Sequence, residues 1–332
     1  MKICWGLKLE FRKLIKFGNS SFVVSLPKVW LKNNKLKKGD TLYVTENDNS
    51  LSLSSRNNEK KEFKKIIVDT TNKSLKRVQT EIVSSYLNNY NEIHLEGDNI
   101  KDNAVKIKEF VNALAGMEVI EQTKNKIIAK DLLDKESISL SKLVRRIDMI
   151  IRGMLDDSIL TMEEDNYESI FQRDFDVNRL VYLSERILRS CLGSPCPGKL
   201  EEGMDNFKII MYFEVVITLE RVGDQAKRIA RYTRHLKDEK MKGNLNDIYS
   251  NIKKLYLDLM KSFYTYDKEL AHEIDEKGIT LVDECNEFLK KYPGMKKAMI
   301  MDYMKRMVST IRQSSMAIIN YDEPKQENFD ES

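Results

Sequence analysis

Residues 207–235 read FKIIMYFEVVITLERVGDQAKRIARYTRH, and the spacing of their apolar side chains predicts one long helix. The apolar positions recur at intervals of four or three residues, the spacing of a helix buried along one stripe; they are Met211, Val215, Leu219, Val222, Ala226 and Ile229. Glu220 and Asp224 lie one turn apart on a shared face. The stretch therefore predicts a bundle helix that places two carboxylates side by side.

These two carboxylates need a positive partner, because acidic groups at i and i+4 lie about 5–6 Å apart at Cβ and repel each other. A metal ion or an arginine would satisfy this need. A simpler interpretation is that Arg221, Lys227 and Arg228 only solvate a charged face. Gly223 costs about 1 kcal/mol relative to alanine in a helix interior, so we expect a neighbouring side chain or the other ligands of an ion to approach there.

The run Glu-Arg-Val-Gly-Asp, followed by Gln-Ala-x-x-Ile-Ala, resembles the signature of the PhoU family of phosphate-uptake regulators. The resemblance implies two three-helix repeats, with acidic motifs on neighbouring helices that bind divalent or trivalent metal, usually iron or zinc. The partner motif of the first repeat reads Asp-Phe-Asp-Val-Asn at 174–178. The implied metal ligands are Asp174, Asn178, Glu220 and Asp224.

Asn178 offers only a neutral oxygen, so the implied site favours a divalent ion bound through oxygens, such as magnesium, over a hard trivalent ion. The alternative is a metal-free bundle in which Arg179 or Arg228 holds Glu220 and Asp224, since ion pairs imitate metal sites in sequence.

The three-helix pattern occurs twice, at 135–238 and 243–322, which indicates an internal duplication. The second copy reads Glu-Lys-Gly-Ile-Thr at 276–280 and has no acidic residue in STIRQSSMAII at 309–319. We therefore expect one metal site and not two.

The N-terminal residues alternate between apolar and polar, which predicts short strands around a single helical turn in PKVWLKNN. The stretch RKLIKFGNSSFVVSLPK, continued by LKKGD, resembles the AbrB/SpoVT swapped-hairpin family. The resemblance implies that residues 1–56 form a DNA-binding β-barrel that closes by hairpin exchange in a homodimer. Its implied DNA contacts are Arg12, Lys13, Lys16, Asn19 and Ser20.

The positive charge of the N-terminal segment is consistent with a nucleic-acid partner. Residues 1–40 carry ten Lys and Arg against Glu10 and Asp40, a net charge of +8, although the whole chain has only +4. Two simpler interpretations stay open: the basic strand is only a solvated surface, or the N-terminal module serves mainly to dimerise.

Strand and helix patterns alternate over residues 63–134 and predict a small α/β domain, with Ser74 as a helix cap. No glycine-rich phosphate loop is visible there, so the domain is either a scaffold or a sensor of an unknown ligand. The acidic tail at 323–332 is expected to be disordered.

The sequence shows no apolar run near the 18 or so residues that a membrane helix needs, and no secretion signal. The four cysteines are interpreted as reduced thiols. The expected fold is multidomain and mostly α, with the N-terminal barrel, the α/β domain and the paired three-helix repeats.

The predicted function is a cytoplasmic, DNA-binding regulator of phosphate uptake with a metal-binding sensor bundle, no insertion in the membrane and no enzymatic activity. Its expected partners are DNA, a second copy of the chain and a phosphate ABC transporter or sensor kinase. The alternative is an adaptor that damps the transporter or its signalling partner and uses the N-terminal module only to dimerise.

Overall fold

The computed structural model describes residues 11–18, 21–47, 50–55, 63–134, 137–192, 204–236 and 239–322. The chain divides into two compact units, Met1–Phe63 and Lys64–Ser332. The acidic tail at 323–332 lies outside the described residues, as do residues 57–62, whose polar sequence predicts a linker, and residues 193–198, whose sequence predicts a loop between helices.

The first unit contains two short antiparallel hairpins and one short helix. Strand β1 (Ile15–Phe17) pairs with β2 (Ser21–Val23), helix α1 spans Lys28–Asn33, and β3 (Tyr43–Asn47) pairs with β4 (Ser50–Ser54). Over the described residues the two hairpins form separate sheets, so the expected closed barrel is not found within this one chain. These hairpins are too short to enclose a core by themselves.

The apolar side chains of this unit face outward. No residue in its described part is buried, and Phe11 is 86% exposed. Phe17, Phe22 and Val44 are each more than half exposed. The unit therefore presents an unusual amount of apolar surface for its size.

The second unit begins with a four-stranded sheet in the order β5-β6-β8-β7. Its strands are β5 (Lys65–Asp69), β6 (Glu92–Glu96), β7 (Met117–Gln122) and β8 (Lys126–Asp131), of which only β5 and β6 run parallel. Helices α2 (Leu75–Leu87) and α3 (Ile100–Asn112) share a buried apolar core with these strands. Ser74 caps α2 by accepting a hydrogen bond from the Arg77 amide, as predicted.

Six long helices follow in the described part of the chain beyond residue 137. They are α4 (Leu140–Leu160), α5 (Tyr167–Cys191), α6 (Asn206–Thr233), α7 (Glu239–Thr265), α8 (Lys268–Lys291) and α9 (Met295–Ile319). All six contribute to one continuous apolar core. The predicted apolar stripe of α6 is confirmed, since its side chains from Met211 to Ile229 are buried against α4, α5 and α9. This packing fixes the face on which Glu220 and Asp224 lie.

Two further observations concern the hydropathy of the helices and the state of the cysteines. Among the described helices, none combines the length and the hydropathy required to cross a bilayer. Cys285 is a free, buried thiol, whereas Cys191 is disulfide-bonded. The interpretation of all four cysteines as reduced thiols is therefore wrong for Cys191.

Candidate functional site

Helices α5 and α6 bring two of the predicted site residues together through a lysine. The Lys227 ammonium Nζ lies 2.6 Å from Asp174 Oδ2 and 3.1 Å from Asp224 Oδ1. The side chains of Lys227 and Asp174 are only 20% and 10% exposed. One cation therefore bridges the carboxylates of two neighbouring helices in a partly enclosed setting.

The remaining contacts of this cluster also come from hydrogen-bond donors. Arg228 Nε donates to Asp224 Oδ2 at 2.8 Å, and Asn178 Nδ2 donates to Asp174 Oδ2 at 3.4 Å. Arg228 thus pairs with Asp224, one of the two carboxylates that the metal-free alternative assigns to it, and Lys227 links Asp224 to Asp174. We refer to Asp174, Asn178, Glu220, Asp224 and Lys227 as the acidic cluster.

Glu220 completes the negative charge of the acidic cluster. Burial raises the pKa of Glu220, and the charges of Asp224 and Asp174 raise it further. Burial alone would lower the pKa of Lys227, but its hydrogen bonds and charge attraction to Asp174 and Asp224 outweigh that effect and raise it. Lys227 is consequently held in its charged form.

These contacts do not fit the metal centre that the family resemblance implies. The Asp174 and Asp224 oxygens that a metal would take accept hydrogen bonds from Lys227 and Arg228, and Asn178 turns its amide N–H toward Asp174. Over the described residues, no group of three or more His, Cys, Asp or Glu side chains is arranged to hold a metal ion. The sequence did contain a signal for Lys227, because it follows Asp224 by three residues on the same helical face.

Gly223 allows α4 and α5 to pack closely against α6. A Cβ atom built there would lie 2.7 Å from Ile151 Cδ1 and would also meet Met154 and Val177. The glycine thus admits apolar side chains of α4 and α5 against α6. The sequence suggests that either a neighbouring side chain or the ligands of an ion approach Gly223, and the structure shows neighbouring side chains there.

The second repeat has a simpler pair at the corresponding seam between its second and third helices. Arg312 Nε of α9 donates to Asp275 Oδ1 of α8 at 2.8 Å. The aliphatic part of Arg312 lies directly over Gly278. Both repeats thus place a basic side chain of the third helix on an aspartate of the second.

The predicted DNA contacts lie in the first unit. Arg12 and Lys13 precede β1 and Lys16 lies within it, opposite Phe22 in the hairpin register. All three residues are exposed. Asn19 and Ser20 lie outside the described residues.

Comparison with known proteins identifies one segment of this chain. Residues 144–233 match the family model described as the PhoU domain. The matched segment contains most of α4, all of α5 and α6 up to its last residue. It therefore includes every member of the acidic cluster. No curated protein matches the chain.

Two solved structures resemble the chain at low identity. The crystal structure of PhoU from Pseudomonas aeruginosa aligns with a TM-score of 0.46 and 16% identity, over 54% of this chain and 93% of that one. The phosphate transport system regulatory protein PhoU from Streptococcus pneumoniae aligns with a TM-score of 0.39 and 16% identity, over 54% and 95% of the two chains.

Proposed function

We propose that this protein is a cytoplasmic regulator of phosphate uptake that contacts DNA through its first unit and receives its signal through the helical bundle. The match of residues 144–233 to the PhoU domain carries this proposal. The partner that delivers the signal is a component of phosphate transport, either the transporter itself or its sensor kinase.

The DNA contact is supported by charge and exposure. Residues 1–40 hold a net charge of +8, and Arg12, Lys13 and Lys16 are exposed along one short stretch. Basic side chains in such a stretch neutralise phosphates and release the counterions condensed on DNA, which drives association.

The homodimer is supported by the exposed apolar side chains of the hairpins. A unit of this size without any buried residue in its described part cannot be stable through its own core. A second copy of the same hairpins would cover Phe17, Phe22 and Val44 with matching apolar surface. Dimerisation would also double the positive charge that faces DNA.

The proposal includes no metal, because Lys227 lies where a metal would bind in the acidic cluster. The bundle would instead communicate through its protein contacts. This leaves the regulatory function independent of any bound ion.

A second candidate function, an adaptor that restrains the transporter, is favoured by the same exposed hairpins. If their purpose is only to dimerise, the apolar surface of the first unit is accounted for without DNA. The basic residues would then be a solvated surface.

Salt dependence of DNA binding separates the two functions. The probe is a duplex from the control region of the organism's own phosphate-transport genes, titrated with the full-length protein at several salt concentrations. A regulator should bind it as a dimer, with log affinity falling against log salt by about 0.9 for each phosphate neutralised.

A charge-matched pair of variants tests the contacting surface. Replacing Arg12, Lys13 and Lys16 together by alanine should abolish sequence-selective binding, and any residual binding should show a smaller salt slope. Replacing Lys28, Lys32 and Lys38 together removes the same charge from the region of α1 and should leave most of the affinity. Absence of a sequence-selective shift at any salt concentration would favour the adaptor.

A further inference from the structure

We infer that Lys227 is the resident cation of the acidic cluster and takes the place of a metal ion in this protein. The inference concerns the chemistry of the cluster and does not depend on the proposed function. It rests on the contacts of Lys227 and on its burial.

The contacts of Lys227 occupy the oxygens that a metal would require. Its ammonium bonds Asp174 Oδ2 of α5 at 2.6 Å and Asp224 Oδ1 of α6 at 3.1 Å. An oxygen-bound divalent ion sits about 2.0–2.6 Å from its ligands, so a metal bridging these two carboxylates would occupy the space of the ammonium. Metal binding therefore requires Lys227 to leave.

Burial of the acidic cluster disfavours the displacement of Lys227 by a metal ion. Lys227 and Asp174 are largely shielded from water, and attraction between opposite charges is stronger in such a setting than at the surface. Arg228 already holds the second oxygen of Asp224.

The second repeat also has a basic side chain between its second and third helices, but at other positions. Arg312 of α9 lies 2.8 Å from Asp275 of α8, whereas the position in α9 that matches Lys227 is Met316. The first repeat has the additional carboxylates of Glu220 and Asp224. Lys227 and Arg228 pair with Asp224, and Arg221 and Lys227 are the cations that face Glu220.

The inference has a chemical consequence for phosphate. A cluster of carboxylates attracts phosphate only when a bound metal reverses its local field. A single ammonium shared by Asp174 and Asp224 is already neutralised by them. The acidic cluster therefore links α5 to α6 and does not bind phosphate through a metal ion.

Metal content is the direct test. The full-length wild type, Lys227→Met and the control Lys290→Met are each incubated with Mn²⁺ or Zn²⁺, passed through a desalting column and analysed for bound metal. Methionine keeps much of the length of lysine without its charge. Lys290 is a suitable control because it pairs with a single carboxylate, Glu287, at the exposed end of α8.

The wild type and the control should retain no stoichiometric metal. Lys227→Met should gain one ion per chain, with an affinity for Mn²⁺ that is about tenfold or more higher than that of the wild type, because three carboxylates are left with too little positive charge. The gain should disappear when Asp224→Asn is added to Lys227→Met.

Two results would overturn the inference. One is stoichiometric metal in the wild type that is lost in Asp224→Asn. The other is a folded Lys227→Met protein that gains no metal. If Lys227→Met does not fold, Lys227→Gln takes its place, and the wild-type measurement decides the first point without any variant. DNA binding by the wild type is measured separately, so failure here is distinct from failure of the proposed function.

Discussion

Arg186 of α5 and Asp131 of β8 form an ion pair in which both side chains are almost fully enclosed, with 2.8 Å between Arg186 Nη2 and Asp131 Oδ2. The same Nη2 donates to the Tyr90 carbonyl at 3.0 Å, and the guanidinium lies 4.2 Å from the centre of the Tyr86 ring. Burial raises the pKa of Tyr86 to about 12, although the charge of Arg186 opposes this rise. The α/β sheet is therefore fastened to the second helix of the bundle through one buried cation.

Replacing Arg186 by methionine should strongly destabilise the second unit. The substitution removes the buried charge that faces the Asp131 carboxylate, and breaking a buried pair in this way costs about 3–5 kcal/mol. Urea unfolding of the full-length protein measures the loss. Hydrogen exchange should locate it, with β8 and the C-terminal turns of α2 losing protection first.

Arg189→Met is the matched control for this prediction. Arg189 lies one turn further along α5, is 3.7 Å from Glu185 and is far more exposed than Arg186. Its loss should cost less than about 1 kcal/mol. Equal losses for the two variants would mean that the buried pair has no special role.

The sequence predicted the periodic features of this molecule well. The apolar stripe of α6 and the Ser74 cap follow from local spacing and capping chemistry, and the structure confirms both. Such features depend on residues that are close in sequence, so one chain suffices to read them.

Contacts between distant residues could not be read in the same way. Nothing near Arg186 in sequence indicates that it lies against Asp131, and an arginine in a helix is usually exposed. Lys227 was visible as part of a charged face, but its bond to Asp174 depends on how α5 packs against α6. The metal expectation came from the resemblance of an acidic motif and did not account for a lysine on the same face.

Tyr256 should contribute more to stability than Tyr264, although both donate to the same buried carboxylate. Asp148 on α4 accepts hydrogen bonds from Tyr256 at 2.8 Å, from Tyr264 at 3.0 Å and from the guanidinium of Arg152. Tyr256 is fully enclosed, whereas Tyr264 is partly exposed, so water can replace the second hydroxyl more easily.

The comparison of Tyr256→Phe with Tyr264→Phe tests this contact between α4 and α7. Hydrogen bonds to a charged group contribute about 1.5–3 kcal/mol, and we expect Tyr256→Phe to lie within this range and Tyr264→Phe below it. Urea unfolding of each variant provides the values. A larger loss for Tyr264→Phe would contradict the burial argument.

Gly223→Ala should destabilise the bundle even though alanine is the better helix former. The added Cβ would approach Ile151 Cδ1 to 2.7 Å in a close-packed core, and overpacking of this kind costs about 1–3 kcal/mol. Thermal unfolding followed by circular dichroism should show a lower Tm.

Gly243→Ala in α7 provides the control for that substitution. A Cβ at Gly243 meets no described atom within 4 Å, so the intrinsic preference for alanine in a helix acts alone. The control should gain about 0.5–1 kcal/mol. If both substitutions stabilise the protein, the side chains of α4 and α5 around Gly223 can move to accommodate the added methyl group at little cost.

Glu185→Gln should stabilise the protein at neutral pH and have little effect in acid. Burial raises the pKa of Glu185, while Arg189 partly opposes this rise; the hydroxyl of Tyr182 is the other titratable group that faces it. A carboxyl with a raised pKa binds its proton more tightly in the folded chain than in the unfolded one, so the ionised form disfavours folding.

The pH dependence follows from the sign of this shift. The cost of ionised Glu185 is absent below its ordinary value of 4.5 and is complete once the pH has risen through the raised value in the folded protein. Because Arg189 is partly exposed and water screens the site, the gain of the glutamine variant at pH 7 should be a few tenths of a kcal/mol to about 1 kcal/mol. Urea unfolding of both proteins between about pH 4 and pH 8 measures the difference, which should grow with pH. If the difference in the free energy of unfolding between the two proteins shrinks as the pH rises, the attraction of Glu185 to Arg189 outweighs the cost of burying its charge. The pair would then stabilise α5, contrary to the prediction.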